Sequence, residues 1–407
     1  MRIRVGVIFG GESVEHEVSI ISAIQAMNKI DEEKYEVVPI YITKDREWFT
    51  GEMLRDIDVY QDLELVKTYA NNVTLYCKDG NYVLQKKKGL FKKVVKEIDV
   101  AFPIVHGTNV EDGALQGYLQ TIGIPYVGPN VYAGVAGQDK AIMKDIWASA
   151  NIPMTKYVWF YDTDYREDTD KVVKKIKDLK YPVIVKPATT GSSVGITVCD
   201  NEKTIKDAIE EAIQYDTKVV VEEVVQNLKE VNIAVMGNYE SQKVSEIEEV
   251  LSANKFLTYT DKYIGGSKGK VKGGVKTSEK SKGMASTNRK LPADLDKKTK
   301  EEIERIAKDA FKALGSSGNS RIDFLIDTKT KKVYINEINS IPGSLAFYLW
   351  EAKKIDFTKV LDEMIQLGIK DYKKRVSKTH SFESNILSGF AANGGTKGMK
   401  GAKGKLN

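Results

Sequence analysis

Residues 321–344 read RIDFLIDTKTKKVYINEINSIPGS, and this stretch decides the fold that the chain is expected to adopt. Apolar side chains alternate on both sides of the segment 327–331, which predicts two strands joined by a turn. Asp323 interrupts the first strand, while Glu337 and Asn339 lie two residues apart on one face of the second. Three oxygen donors from paired strands suit a magnesium ion that keeps its other positions for phosphate oxygens and water. A hairpin whose acids are merely solvated is the alternative.

Length, charge and cysteine content limit the class of protein. The 407 residues predict two or three domains, and two cysteines without metal-type spacing predict reduced structural thiols. The net charge of +5 comes from residues 262–290 and 373–407, so the remainder is acidic and nucleic-acid binding is not expected. Residues 371–407 form a basic tail that we expect to be disordered. Without a long apolar run or a signal peptide, we expect a cytoplasmic protein that does not bind membranes.

The first part of the chain predicts a domain with a parallel sheet. The segment 5–9 is typical of a buried strand, a glycine turn follows it, and a helix over 15–30 leads to a second strand over 35–42. The polar cluster 15–17 follows the first strand, and the segment 106–113 follows a later one. Ligands of α/β proteins bind beyond the carboxyl ends of strands, so a site is predicted here. Helix capping is the alternative for the first cluster.

Two further segments have the character of a nucleotide site. Lys186 ends an apolar strand just before the residues 188–195, which are small or carry hydroxyl groups. Such a turn lets backbone amides approach a phosphate, although a plain hairpin turn is the alternative. Lys140 lies on a helix over 139–150, where its spacing alone favours surface charge. Glu222 and Glu230 border buried strands, at positions where an acid can accept from adenine or from ribose hydroxyls.

The order of the motifs resembles the D-alanine:D-alanine ligase family of the ATP-grasp superfamily, from residue 3 to about residue 367. The matching motifs are Gly10-Gly11-x-Ser13-x-Glu15-x-Glu17-Val18-Ser19, His106-Gly107-x-x-x-Glu111-Asp112-Gly113, Asp139-Lys140-x-x-x-Lys144, Lys186-Pro187-x-x-x-Gly191-Ser192-Ser193-Val194-Gly195, Arg321-x-Asp323 and Asn336-Glu337-x-Asn339. The resemblance implies a mixed α/β (α+β) chain with the ATP-grasp fold and three domains, the first with a parallel sheet. The expected domains are 1–130 with an insertion at 50–98, 131–230, and 231–370 with a lid loop at 255–290, before the tail 371–407.

The resemblance also implies the cofactors, the substrates and the role of each site residue. ATP and Mg²⁺ or Mn²⁺ would act with D-amino acids, and a homodimer is expected from the family alone. The metal ligands would be Asp323, Glu337 and Asn339. The ATP contacts would be Lys140 and Lys186 at the phosphates, Glu222 at adenine and Glu230 at ribose. The first D-alanine would be bound by Glu15, with His106 and Glu111 in the companion loop.

The remaining residues that the resemblance implies act on the reaction itself. The family transfers the γ-phosphoryl group of ATP to the first D-alanine and lets the amine of the second D-alanine attack the acyl phosphate, which yields a precursor of peptidoglycan. The oxyanion would be stabilised by Arg321 and the Gly343 amide. The closed lid would be held by a link between Glu15, Ser192 and Tyr263, with Lys262 at the phosphate and substrate.

Three features depart from the family pattern. Glu223 replaces a position that is often lysine, with a longer run over 226–229, the lid insertion over 263–284 is long and basic, and the segment after the hairpin differs. After Pro342-Gly343 the family usually continues M-T-x-x-S, and the serine helps to hold the carboxylate of the second substrate. This chain continues Ser344-Leu345-Ala346-Phe347-Tyr348, where Ser344 would substitute from another position. The acceptor could therefore be D-serine, D-lactate or another amine. A non-catalytic nucleotide-binding protein is a further alternative, against which the complete set of metal ligands and phosphate lysines speaks.

Overall fold

A computed structural model describes residues 2–89, 93–191, 194–251 and 289–381. Residues Met1–Ile369 form one compact unit, and Lys370–Asn407 form a second. Within the described part of the chain, the strands form three sheets.

The first sheet contains the predicted parallel core. Its strands are β1 Ile3–Gly10, β2 Tyr35–Ile42, β3 Trp48–Thr50, β4 Asn71–Lys78, β5 Asn81–Lys86, β6 Val94–Ile98 and β7 Val100–Pro103. They lie in the order β6-β5-β4-β3-β2-β1-β7. β1 pairs in parallel with β2 and β7, and the other neighbours are antiparallel. The predicted insertion at 50–98 therefore extends this sheet.

The other two sheets are antiparallel. The second sheet consists of β8 Tyr157–Tyr161, β9 Val183–Pro187, β10 Thr197–Cys199 and β11 Lys218–Glu223, in the order β10-β9-β11-β8. The third consists of β12 Leu228–Gly237, β13 Gln242–Val250, β14 Arg289–Lys290, β15 Gly318–Asp327 and β16 Val333–Asn339, in the order β14-β13-β12-β15-β16. The predicted hairpin is confirmed as β15 and β16.

Helices cover the sheets. They are α1 His16–Met27, α2 Leu63–Tyr69, α3 Ala114–Ile122, α4 Val131–Gln138, α5 Lys140–Ser149, α6 Asp162–Glu167, α7 Thr169–Lys177, α8 Ile205–Ile213, α9 Lys297–Ala313, α10 Phe347–Glu351 and α11 Phe357–Val376. Short 3-10 helices span Glu52–Arg55, Ile57–Gln61, Glu202–Thr204 and Gly343–Ala346. No helix among the described residues is long and apolar enough to cross a membrane.

Periodicity explains how the helix α9 packs. In α9 the side chains of Ile303, Ile306, Ala307 and Ala310 are buried. Their spacing of three and four residues places them on one face, which packs in the core of the third sheet. Asp296 precedes the helix and accepts a hydrogen bond from the Thr299 amide at 2.9 Å, which caps its first turn.

The core of the first sheet also reaches the segment that follows the hairpin. Ile341, Leu345 and Trp350 are buried in the same cluster as Val7 and Phe102. Burial of these side chains fixes the end of β16 against the N-terminal sheet, and it thereby brings distant motifs to one place.

Candidate active site

The predicted metal ligands lie together on the β15–β16 hairpin. Asp323 lies opposite Glu337 in the antiparallel register, and Arg321 lies opposite Asn339. Directly opposed residues point to the same face of a sheet, so the two carboxylates and the amide share one face. The predicted adjacency of the two acids is confirmed.

The donor set of the hairpin fits a magnesium ion. Two carboxylates and one amide supply hard oxygen atoms, which Mg²⁺ prefers. Asn339 donates its Nδ2 to Asp323 Oδ2 at 3.2 Å, so its amide oxygen is the atom suited to a cation. Across residues 2–89, 93–191, 194–251 and 289–381, no group of three or more His, Cys, Asp or Glu side chains is arranged to hold a metal ion. The hairpin set has only two acids and takes its third oxygen from an asparagine. Its role in binding a metal ion stays a prediction.

Arg321 is a buried cation beside this set. Its Nε and Nη2 donate to the two carboxylate oxygens of Asp323 at 2.7 and 2.8 Å. Burial by itself would lower the pKa of Arg321, but the Asp323 carboxylate outweighs burial and raises the pKa well above its ordinary value. The two-point contact fixes the orientation of the guanidinium, as stabilisation of an oxyanion requires.

Lys186 reaches the hairpin from the second sheet. It lies near the end of β9, and its buried ammonium donates to Asn336 Oδ1 at 3.4 Å. Asn336 directly precedes Glu337 on β16. The fold thus brings a predicted phosphate lysine to the predicted metal ligands.

Glu222 is buried between two lysines. Its Oε2 lies 2.9 Å from Lys144 Nζ, and its Oε1 lies 3.0 Å from Lys186 Nζ. Thr155 Oγ1 also donates to Oε2 at 3.0 Å. Burial alone would raise the pKa of Glu222, but the two ammonium groups outweigh it and lower the pKa to about 2. The carboxylate is therefore a fixed anion in the candidate nucleotide site.

Lys144 belongs to the matching motif Asp139-Lys140-x-x-x-Lys144, but no role was predicted for it. It is fully buried on α5, next to Met143 and one turn before Trp147, which are buried as well. Burial and the neighbouring Lys186 ammonium lower the pKa of Lys144, although Glu222 acts in the opposite direction. A lysine on the apolar face of a helix was the available signal, because an unpaired buried ammonium is costly.

Lys140 lies against the small-residue loop that follows β9. Its Nζ donates to the carbonyl of Thr190 at 2.9 Å and to that of Ala188 at 3.4 Å. Asp139 caps α5 by accepting from the amide of Ile142 at 3.0 Å. The position of Lys140 is therefore fixed to the segment predicted to bind phosphate.

Glu230 belongs to a different sheet from Glu222. It is partly buried on β12, opposite Leu325 of β15. Glu222 lies on β11 of the second sheet. The two acids predicted for adenine and ribose thus lie on two sheets.

Glu15 directly precedes α1 and lies close to two glycines. A Cβ atom added at Gly191 would lie 2.9 Å from Glu15 Oε2, and one added at Gly107 would lie 3.0 Å from the same oxygen. The structure thus brings together the loop after β1, the loop after β7 and the loop after β9. Gly191 directly precedes Ser192, one of three predicted site residues that lie outside the described residues, the others being Lys262 and Tyr263.

His106 and Glu15 belong to the same corner of the site. His106 is buried with its Nε2 3.1 Å from Ser22 Oγ, and the Ser344 amide donates to that hydroxyl at 2.8 Å. Burial lowers the pKa of His106, although the Glu15 carboxylate acts in the opposite direction. Ser22 therefore links the His106 loop to the segment after the hairpin.

Glu111 makes a second link to the same segment. Its carboxylate accepts from the Gly107 amide at 3.0 Å, from Ser340 Oγ at 2.8 Å and from the Ile341 amide at 2.9 Å. Burial is the main cause that raises its pKa to about 7. Both residues of the predicted companion loop are thus fixed against the end of β16.

The segment after Pro342 adopts an unusual backbone. Ser344, Leu345 and Ala346 have φ angles of 52°, 50° and 46°. Three successive residues in the left-handed region are uncommon outside glycine. Asn319 Nδ2 donates to the Leu345 carbonyl at 2.6 Å, and Ser344 is buried. The turn places the predicted Gly343 and Ser344 beside the His106 loop.

Tyr348 occupies the position that the family pattern gives to serine, counted from Pro342-Gly343. Its hydroxyl donates to Glu248 Oε1 at 2.9 Å. Arg289 lies with its guanidinium carbon 4.2 Å from the centre of the Tyr348 ring, and its Nη1 lies 2.7 Å from Glu248 Oε2. A phenol held by Glu248 and Arg289 therefore stands where the family pattern has a serine hydroxyl.

Comparison with known proteins covers nearly the whole chain. A family model described as "D-ala D-ala ligase N-terminus" matches residues 4–129, and one described as "D-ala D-ala ligase C-terminus" matches residues 146–366. The D-alanine--D-alanine ligase of Thermosipho melanesiensis is 39% identical over 385 residues, which is 95% of this chain and 98% of the relative. The enzyme of that name from Acetivibrio thermocellus is 38% identical, covering 91% of this chain and 96% of the relative.

Solved structures agree with the sequence relatives. The D-alanine-D-alanine ligase from Coxiella burnetii has 26% identity and a TM-score of 0.76, and the match covers 96% of this chain and 99% of that one. VanG D-Ala:D-Ser ligase from Enterococcus faecalis has 29% identity and a TM-score of 0.74, with 90% and 100% covered. The mixed α/β structure has the ATP-grasp fold, as expected. The chain belongs to the D-alanine–D-alanine ligase family.

Proposed function

We propose that this chain is an ATP-dependent ligase that joins two D-alanine molecules into D-alanyl-D-alanine for peptidoglycan precursors. The observation that carries the proposal is the hairpin in which Asp323 lies opposite Glu337, with Lys186 bound to the adjacent Asn336. The names of the relatives support the substrates, and membership of the ligase family supports the use of ATP.

The first step activates a carboxylate, which is a poor electrophile. An oxygen of the first D-alanine forms a bond to the γ-phosphorus of ATP, the bond to the bridging oxygen breaks, and ADP leaves with an acyl phosphate remaining. Lys140 and Lys186 lower the energy of the charge that spreads over the transferred group. A magnesium ion held by Asp323, Glu337 and Asn339 would supply further charge neutralisation.

The second step forms the peptide bond. The amine of the second D-alanine attacks the acyl carbon, and collapse of the tetrahedral intermediate releases inorganic phosphate and the amine proton. Arg321 and the Gly343 amide hold the oxyanion in this step. Glu15 binds the ammonium group of the first D-alanine, and His106 and Glu111 fix the loop around it.

The nucleoside and the acceptor are bound by other groups. Glu222 and Glu230 contact adenine and ribose, and Ser344 contacts the second substrate. By analogy with the family, the site is closed by Lys262, Ser192 and Tyr263. Closure excludes water that would otherwise hydrolyse the acyl phosphate.

The state and location of the protein extend the proposal. We further propose domains over 1–130, 131–230 and 231–370. We also propose that the chain forms a homodimer in the cytoplasm, where ATP is available. Sedimentation at several protein concentrations tests the dimer, and a constant monomer mass would contradict it.

A substrate panel tests the function. Phosphate release is measured with ATP, magnesium and D-alanine, D-serine, D-lactate or L-alanine, singly and in pairs, and the products are identified by mass. Release that requires D-alanine and yields its dipeptide supports the proposal. Phosphate release only with a mixed pair would assign a different acceptor. This outcome is tested because Tyr348 replaces the serine that helps to hold the second substrate in the family pattern. Absence of release with every pair would contradict ligase activity on these substrates.

A further inference from the structure

Three ionisable side chains form a compact buried cluster in the candidate nucleotide site. The exposed fractions of the Lys144, Glu222 and Lys186 side chains are 1%, 2% and 9%. Each lysine faces a different oxygen of the Glu222 carboxylate, at 2.9 and 3.0 Å. Lys144 lies deepest and lies beneath the Tyr157 ring, 5.6 Å from its centre. With a side chain only 1% exposed, Lys144 has almost no surface with which to contact a ligand.

The charges of the cluster do not cancel. While both lysines are protonated, the cluster carries an excess of one positive charge, and burial of this charge lowers the pKa of Lys144. Glu337 acts electrostatically on Lys144, but its carboxylate is a proposed metal ligand. A polyphosphate brought to Lys186 would meet the excess charge directly. The arrangement is suited to a polyphosphate bound together with a metal ion, because the phosphates would face Lys186 and the metal ion would face Glu337.

We propose that Lys144 is a positioning residue for the phosphates of ATP, acting through Glu222 on Lys186. Lys144 neutralises part of the negative charge of Glu222. The positive charge of Lys186, the more exposed lysine, is therefore only partly cancelled by Glu222. This inference rests on the proposed ATP-dependent function.

Removal of Lys144 has a specific electrostatic consequence. In Lys144→Met, a side chain of similar length packs in the same space, but Glu222 and Lys186 are left as a neutral pair. Phosphate binding then loses the excess positive charge. In the double variant Lys144→Met with Glu222→Gln, Lys186 stands alone and the charge of the cluster returns to its original value. Phosphate binding should return with it.

The test compares nucleotides with and without phosphates. The dissociation constants of magnesium ATP and of adenosine are measured by calorimetry on the full chain for the wild type, Lys144→Met, the double variant and Lys144→Arg. We expect Lys144→Met to weaken ATP binding at least about 10-fold relative to adenosine. The double variant and Lys144→Arg should recover most of the preference for ATP.

Each result has one interpretation. An unchanged ATP constant in Lys144→Met, or equal weakening of ATP and adenosine, would overturn the inference while leaving the proposed function in place. A double variant as weak as Lys144→Met would also overturn the charge argument. If the wild type binds no ATP, the proposed function itself fails. Thermal unfolding confirms that each variant is folded, and if Lys144→Met is not, Glu222→Gln alone must raise the preference for ATP over adenosine.

Discussion

Glu337 is the residue whose replacement addresses the proposed metal site most directly. The Glu337→Gln variant keeps the shape of the side chain and its place opposite Asp323, but it removes a negative charge that would face a cation. We expect ATP-dependent phosphate release to fall by at least about 10²-fold, because charge neutralisation is lost in phosphoryl transfer. Exposed Glu301 on α9 supplies the matched control, and Glu301→Gln should retain full activity. Full turnover by Glu337→Gln would contradict the assignment.

Glu111 gives a prediction about pH. Burial raises its pKa in the folded protein to about 7, above the ordinary value of 4.5. Between these two values the folded state binds the proton more tightly than the unfolded state, so this group's contribution to stability falls as pH rises. The contribution amounts to at most about 3 kcal/mol across that window. The pKa of Glu222 is lowered instead, so its contribution to the free energy of unfolding is lost only as the pH falls below about 4.5.

The measurement for Glu111 compares unfolding of the wild type and Glu111→Gln from pH 5 to pH 7. The Tm of the variant relative to the wild type should increase with pH, because only the wild type has a carboxylate to ionise. A difference in Tm that stays constant with pH would contradict the raised pKa.

Sequence reasoning reached the pairing of the hairpin acids but not the partner or role of Lys144, for a physical reason. Asp323 and Glu337 could be paired from local alternation alone, because a hairpin fixes which residues face each other. The partner of Lys144 lies on a strand of another part of the chain, and helical periodicity does not identify it. Glu15 and Gly191 likewise come together only through tertiary packing, which the family resemblance implied and local patterns did not.

The loop after β9 lies close to Glu15. Gly191 has no space for a side chain on the side of Glu15, since an added Cβ would lie 2.9 Å from the carboxylate. Gly191→Ala should therefore displace either the loop or Glu15 and reduce kcat/KM for D-alanine by roughly 10-fold or more, since displacements near 1 Å are costly in catalysis.

A control for this variant lies on α3. An added Cβ at Gly117 would meet no other atom within 4 Å, and a helical alanine is favoured over glycine. Gly117→Ala should therefore keep activity and not lower the Tm. If Gly191→Ala is as active as Gly117→Ala, the close approach of the loop to Glu15 has no functional role.

Single strands were easier to predict from the sequence than the strands with which they pair. The alternation around 321–339 indicated β15 and β16, and both are found. The sequence predicted an insertion at 50–98 but not its place as a continuation of the first sheet. That place depends on pairing between β3 and β4, which the local pattern does not specify. Long-range pairing is decided by the packing of whole faces.

For the whole molecule, the basic tail should be dispensable. Residues Met1–Ile369 form a compact unit that contains all the described candidate site residues. Deletion of 376–407 should leave kcat, KM and Tm unchanged. Deletion of 364–407 is the contrasting truncation, because it removes the buried core residues Met364 and Ile365 and should lower the Tm strongly. Loss of activity in the shorter deletion would contradict the account.

In the proposed reaction a phosphoryl group passes from ATP to the carboxylate of D-alanine. To test this transfer, D-alanine is supplied with a heavy isotope at both carboxylate oxygens, and the phosphate released during dipeptide synthesis is analysed. An acyl phosphate intermediate predicts one labelled oxygen in each inorganic phosphate, because the carboxylate oxygen leaves with the phosphorus. Dipeptide formed with unlabelled phosphate, or with the label in AMP, would contradict the mechanism.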